Sequence, residues 1–137
     1  MIFLTRREHF NAAHKLYCTE WSEDTNNTVF GKCANKNWHG HNYELFVTVK
    51  GHPHPQTGFV MNVKDLSILI KKEIIDVLDH RNLNLDLDLG EAIQPSTENL
   101  AIWIWNTLMP FLKECELHCV KLQETDNIYV EYFGELN

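Results

Sequence analysis

The sequence predicts an α+β domain, an antiparallel four-stranded sheet with two helices packed on one of its faces. Three observations predict it. Apolar residues alternate at period two over residues 2–14 and 41–50, and again after residue 120. Between these regions, two stretches repeat apolar residues at spacings of three and four. The resulting order is strand, strand, helix, helix, strand, strand, and at 137 residues the chain fits a single domain, 1–137.

Each element has its own local reason. In residues 2–14 the side chains of Phe10, Ala12 and His14 share one face of an extended segment. Thr19 to Asn37 is rich in Asn, Thr, Asp and Lys and reads as a long polar loop. Val47, Thr48 and Val49 favour the second strand, and Gly51, Pro53, Pro55 and Gly58 end it in a turn. Asn62 caps a helix over 63–78 whose apolar face is Val63, Leu66, Ile70, Ile74 and Val77. Asn82 to Gly90 reads as a loop. Ser96 caps the second helix, with the face Leu100, Ile104, Thr107, Leu108 and Phe111, and Pro110 limits its end. Val120–Thr125 and Ile128–Phe133 are strands joined by the turn Asp126-Asn127. The two open edges of such a sheet favour an oligomer.

Composition narrows the function. Twelve basic and nineteen acidic residues give a net charge of −7, the wrong sign for holding a nucleic-acid backbone. An anionic substrate must then be met by a local arrangement of cations. The longest apolar stretch, Leu100 to Trp105, falls far short of the ~20 residues of a membrane span. Arg6, Arg7 and Glu8 interrupt what a signal peptide would need as an apolar core. The expectation is a cytoplasmic protein whose cysteines (Cys18, Cys33, Cys115, Cys119) are free, metal-binding or catalytic.

His39-Gly40-His41 is the first chemical signal. Residues two apart on an extended segment point to one side, so two imidazoles can converge on one ion. His14, at the end of the first strand on the Phe10–Ala12 face, is the natural third ligand. Three neutral histidines leave a fourth position open, as a catalytic zinc site requires. Cys33 lies in the polar loop, six residues before His39. Beside a metal its thiol becomes a usable base or nucleophile, or it closes the site as a fourth ligand. Asp79-His80 can serve a proton relay, the carboxylate fixing the imidazole tautomer, or His80 is simply a cation at a helix C-terminus. Glu124, on or at the end of an otherwise alternately apolar strand, can accept two parallel hydrogen bonds from a heterocycle edge, or is a solvated strand residue. Asp86, Asp88 and Glu91 lack the spacing of a calcium loop. Cys115, His118 and Cys119 lack that of a zinc pair, His52 and His54 flank prolines in a turn, and Trp103 and Trp105 read as core.

Taken together, FNAAH, FGKCANKNWHGHNY, VMNVKDL, LDHRNLN, STENLA and QETDN resemble, in order and spacing, the 6-pyruvoyltetrahydropterin synthase family over Phe10 to Gly134. The resemblance implies the tunnelling fold (T-fold), with sheets joined into trimeric barrels and two trimers stacked as a hexamer. It implies Zn2+ on His14, His39 and His41, and Cys33 as the catalytic base supported by Asp79 and His80 across a subunit boundary. It implies Glu124 anchoring the pterin ring, with Thr97 and Glu98 near the same pocket. The implied reaction converts 7,8-dihydroneopterin triphosphate to 6-pyruvoyltetrahydropterin with loss of triphosphate. A close relative, 6-carboxytetrahydropterin synthase, acts on the same substrate but expels a two-carbon fragment. Its members generally have a shorter Cys-to-HGH spacing than the five residues intervening here. Trp38 departs from the family, in which a small residue often precedes HGH. A non-catalytic module, with Cys33 and the histidines closing a structural zinc site, and a zinc hydrolase are the competing classes.

Overall fold

The computed structural model describes residues 1–135, so the last two positions of the expected 1–137 domain lie outside the described residues. Strand β1 runs Ile2–His14 and β2 His39–Gly51, paired antiparallel along their whole length from Ile2 opposite Gly51 to His14 opposite His39. Strand β4, Glu116–Thr125, joins β2, and β5, Ile128–Tyr132, completes the hairpin on its far side. A two-residue strand, β3 (Arg81–Asn82), runs parallel to β1 at Ala12 and Ala13. The sheet therefore has five strands in the order β3-β1-β2-β4-β5, one more than the sequence predicts. The extra strand is too short to carry a period, so no alternation announces it.

Alternation decides which face is buried. Phe10 and Ala12 of β1 and Tyr43, Leu45, Val47 and Val49 of β2 all face the core. In β4 a bulge leaves His118 without a partner between the Thr48–Cys119 and Val49–Leu117 pairs. The extra residue shifts the phase, so Val120 and Leu122 follow Leu117 onto the core face. Each fully buried side chain of this kind stabilises the fold by about 1.5–3 kcal/mol.

The two long helical segments cover that face. Asn62 accepts the Lys64 N–H and starts α2, Val63–Ile70. The helix continues through a π turn, Lys71–Ile75, into α3, Asp76–Leu78, so the predicted 63–78 helix is present but not uniform. Its buried stripe is Leu66, Ile70, Ile74 and Leu78, each four residues after the last. In a regular α-helix such a stripe drifts about 40° per step. A π turn is wound more loosely and returns Ile74 and Leu78 to the sheet. Val63 and Val77, expected on this face, are exposed instead. Helix α5, Thr97–Leu108, starts at Ser96, whose hydroxyl accepts the Asn99 N–H, and buries Leu100, Ala101, Ile104, Trp105 and Leu108. Thr107 is only half-buried and Phe111 is exposed, because the chain turns into a 3-10 segment, Met109–Phe111, carrying Pro110.

The predicted polar loops hold structure that apolar periodicity could not reveal. Residues 23–30 form helix α1, Glu23–Phe30, followed by a 3-10 turn, Gly31–Ala34. Ser22 caps it, accepting the Thr25 N–H, and Glu23 and Asp24 complement its dipole. The buried residue of α1 is polar. The Asn26 amide accepts the Cys18 N–H at 2.7 Å and donates to the Cys18 and Ser22 carbonyls at 2.9 and 3.0 Å. Likewise Leu83–Asp86 is a helical turn, α4, with Asn82 accepting from the Asn84 and Leu85 N–H groups.

Candidate metal centre

The antiparallel register places His14 directly opposite His39, while His41 stands opposite Ala12, on the same face two residues further along β2. The three imidazoles therefore meet at one end of the core, where the sheet runs under the N-terminus of α5. Their ring centroids are 4.6, 4.9 and 5.1 Å apart. One nitrogen from each lies within 4.8 Å of the other two, against ~3.3 Å between nitrogens bound to one tetrahedral ion.

Protonation favours ligation. The Nδ1 of His14 is 2.7 Å from the Pro95 carbonyl oxygen. Because a carbonyl only accepts, Nδ1 carries the hydrogen and Nε2 is left with its lone pair. Burial holds His39 and His41 below the ordinary imidazole range, and the charges of neighbouring imidazoles add to the effect, against the opposing charge of Glu124. His14 Nε2, His39 Nδ1 and His41 Nε2 are all buried without a hydrogen-bond partner.

Glu124 completes the cluster. It falls at an irregularity of the β4–β5 ladder, where Gln123 pairs with Tyr129 and Thr125 with Ile128, leaving residue 124 unpaired. Its Oε1 lies 3.2 Å from His41 Nε2 and 3.4 Å from His14 Nε2. The His14 imidazole, foremost, then the charges of His41 and His14 and the Thr97 hydroxyl, hold this carboxyl below the usual range although burial opposes them. Three imidazole nitrogens buried without a hydrogen-bond partner, with a carboxylate beside them, form a donor set that fits a divalent ion. Glu124 is thus turned towards the histidines and is not a solvated strand residue.

Tyr43 is a member that sequence reasoning assigned only to the strand. Its ring stacks on Phe10 at 4.8 Å and meets the edge of His41 at 5.6 Å, and its hydroxyl is buried without a partner. Burial, reinforced by the Glu124 charge, pushes its phenol far up, so it remains a neutral O–H. Its position two residues after His41, on the same strand face, was the available signal.

The other expected residues are placed around this centre. Cys33, half-buried in the 3-10 turn, is not among the converging ligands. Its carbonyl accepts the Leu16 N–H at 2.8 Å, fastening the turn two residues beyond His14. Asp79 and His80 form a pair, Nδ1 to Oδ2, at 2.8 Å. The other carboxylate oxygen of Asp79 accepts the Asn11 N–H at 2.9 Å, and the His80 N–H donates to the Asn11 carbonyl at 2.7 Å. These bonds hold His80 at a left-handed φ of 60° with its ring largely exposed. His80 and His41 line one cleft of about 470 Å³ over the end of the β1–β2 pair. Thr97 is buried beside Glu124, whereas Glu98, next to it, is exposed and makes none of the cluster's contacts.

The chain is similar to known proteins along nearly its whole length. The family model for 6-pyruvoyl tetrahydropterin synthase matches residues 3–135. The 6-pyruvoyl tetrahydrobiopterin synthase of Pongo abelii is 45% identical over 132 residues, covering 96% of this chain and 91% of that one. That of Dictyostelium discoideum is 43% identical over 134 residues, covering 98% and 97%. The structure of Caenorhabditis elegans 6-pyruvoyl tetrahydropterin synthase superposes with a TM-score of 0.91 at 32% identity, covering 98% of this chain and 96% of that one. The sheet and its two covering helices are accordingly the T-fold, and the chain belongs to the 6-pyruvoyl tetrahydropterin synthase family.

Proposed function

We propose that this protein converts 7,8-dihydroneopterin triphosphate to 6-pyruvoyl-5,6,7,8-tetrahydropterin and triphosphate, with zinc held by His14, His39 and His41. One observation carries the reading: three buried imidazole nitrogens without partners converge beside a carboxylate in a chain whose relatives bear that enzyme's name over nearly their whole length.

When bound, the metal supplies Lewis acidity to the side-chain hydroxyls of the substrate, making the neighbouring C–H more acidic. The remaining work falls to the protein. Cys33, as thiolate, takes the proton from the side-chain carbon, and His80, held by Asp79, relays protons as the side chain tautomerises. Asp79 and His80 serve this step across a subunit boundary. Glu124 and Thr97 receive the amidine edge of the pterin, with Glu98 on the rim of the pocket. All atoms of the substrate are shared between product and triphosphate, so the internal redox change needs neither nicotinamide nor water.

Both sheet edges support an oligomer, read here as a hexamer of two trimers. Along β1 only Ala12 and Ala13 are covered by β3, β5 has a neighbour on one side alone, and Ile2, Phe3, Ile128 and Tyr129 are exposed. The cytoplasm is the compartment we assign, in keeping with the four cysteines being free. No helix among the described residues is long and apolar enough to cross a membrane.

The experiment is incubation of the zinc-loaded protein with 7,8-dihydroneopterin triphosphate, followed by mass analysis. The expected result is 6-pyruvoyltetrahydropterin with one equivalent of triphosphate. A pterin two carbons shorter identifies the carboxy enzyme, a hydrated product a hydrolase, and unchanged substrate defeats the reading.

A further inference from the structure

We infer that the cleft of about 960 Å³ between the end of β1 and the α1–Ala34 segment, carrying Lys15, Lys32 and Lys36, is the subsite for the substrate's polyphosphate chain. This deepens the proposed function and rests on it.

The charge balance of the molecule isolates the cleft. Acidic residues outnumber basic ones by nineteen to twelve in the whole chain, yet the cleft has three lysines against one acid, Glu23. An acidic protein that accepts a polyanion needs such a local reversal of sign. The location is suitable too. Lys15 follows His14, Lys32 precedes Cys33, and the Leu16–Cys33 bond at 2.8 Å ties the two walls together. The cleft thus opens within one residue of a metal-centre histidine on one wall and of the thiol on the other.

Lys15 is also held in place before any ligand arrives. Its backbone N–H donates to the Asn84 side chain, and its carbonyl accepts from the same amide, both at 3.0 Å. Gln94 clasps Tyr17 in the same two-way manner at 3.1 and 2.9 Å. The ammonium lies 4.5 Å from the centre of the Trp38 ring and 5.4 Å from that of Tyr17. Trp38 adopts a left-handed φ of 69°, a conformation that a bulky side chain rarely accepts. Its ring stands against the lysine that begins the cleft, which gives that strain a use.

Sodium tripolyphosphate is the probe, titrated calorimetrically into the zinc-loaded protein. Chelation of the metal is common to every variant and cancels in the comparison. Replacing Lys15, Lys32 and Lys36 together by Gln is expected to weaken binding about tenfold to a hundredfold. The same charge change at the exposed Lys64, Lys72 and Lys113 should leave it within about twofold. Trp38→Gly relieves the backbone and keeps the fold, but should lower tripolyphosphate affinity severalfold by freeing Lys15. In turnover the cleft variant should raise KM for the pterin triphosphate far more than it lowers kcat. Equal tripolyphosphate affinity in parent and cleft variant, or equal loss in cleft and control variants, overturns the inference and leaves the catalytic reading standing. Lysine-dependent binding of tripolyphosphate by a protein that leaves dihydroneopterin triphosphate unchanged defeats the catalytic reading and retains a polyphosphate site.

Discussion

His14 donates its Nδ1 hydrogen to the Pro95 carbonyl across 2.7 Å, joining the last residue of β1 to the segment that enters α5. That bond sets the tautomer that leaves Nε2 free to bind a cation, so the candidate metal centre depends on the seating of α5 as well as on the two strands. His14→Ala removes one ligand of three. Zinc affinity should fall at least about 100-fold, measured by competition with a chromophoric chelator, and turnover should fall with the bound metal.

Cys33→Ala separates the catalytic from the structural zinc reading. Cys33 is not one of the converging ligands, so the variant should retain zinc and its melting temperature. Its kcat should fall by about 10²–10⁴. Metal analysis and triphosphate release on the same sample check both halves, and loss of zinc together with the fold supports a closed structural site.

The Asp79 carboxylate is held below the usual range, first by the Asn11 N–H and then by the His80 side chain, against slight burial. Asp79→Asn removes the charge that stabilises a protonated His80 but leaves an oxygen for the Asn11 N–H. The expected result is a fall in kcat of about 10²-fold with little change in KM, checked by steady-state kinetics of parent and variant on the pterin triphosphate.

Glu8 provides a pH dependence of folding. Burial alone would raise its carboxyl, but the Ser67 hydroxyl at 2.7 Å and the Arg6 guanidinium at 2.9 Å outweigh it and lower the folded value. A lowered folded value contributes stability that is complete above the unfolded glutamate range, near about 4.3, and is lost as the pH falls through the folded value. Glu8→Gln should cost about 1 kcal/mol at neutral pH and flatten this acid limb in denaturant titrations.

The π turn makes adjacent residues unequal. Leu78 is fully buried and Val77 is 41% exposed. Leu78→Ala should destabilise by about 2–5 kcal/mol, whereas Val77→Ala should stay within about 0.5 kcal/mol. Chemical denaturation of the two variants checks the phase of the helix.

What could be read from the sequence was whatever is written as period or spacing. Phe10, Ala12 and His14 share a face at period two, and His39 and His41 share one side of the next strand, so the histidine triad followed once the strands were recognised. Asn62 and Ser96 announced both caps. Helix α1 escaped because its buried side chain is Asn26, held by hydrogen bonds that a hydropathy pattern does not register, although Ser22 followed by Glu23 and Asp24 was a usable signal. The exchange of Val77 for Leu78 escaped because the two positions are equivalent until a π turn intervenes. The approach of Glu124 to His14 and His41 joins positions more than eighty residues apart through a ladder irregularity, and none of the three carries a local mark of it.

That irregularity separates two kinds of constraint. Since residue 124 contributes no rung to the β4–β5 hairpin, replacing it leaves every cross-strand pair intact. Selection can therefore exchange this carboxylate without renegotiating the scaffold, a freedom denied to His39 and His41, which are bound into the β1–β2 register.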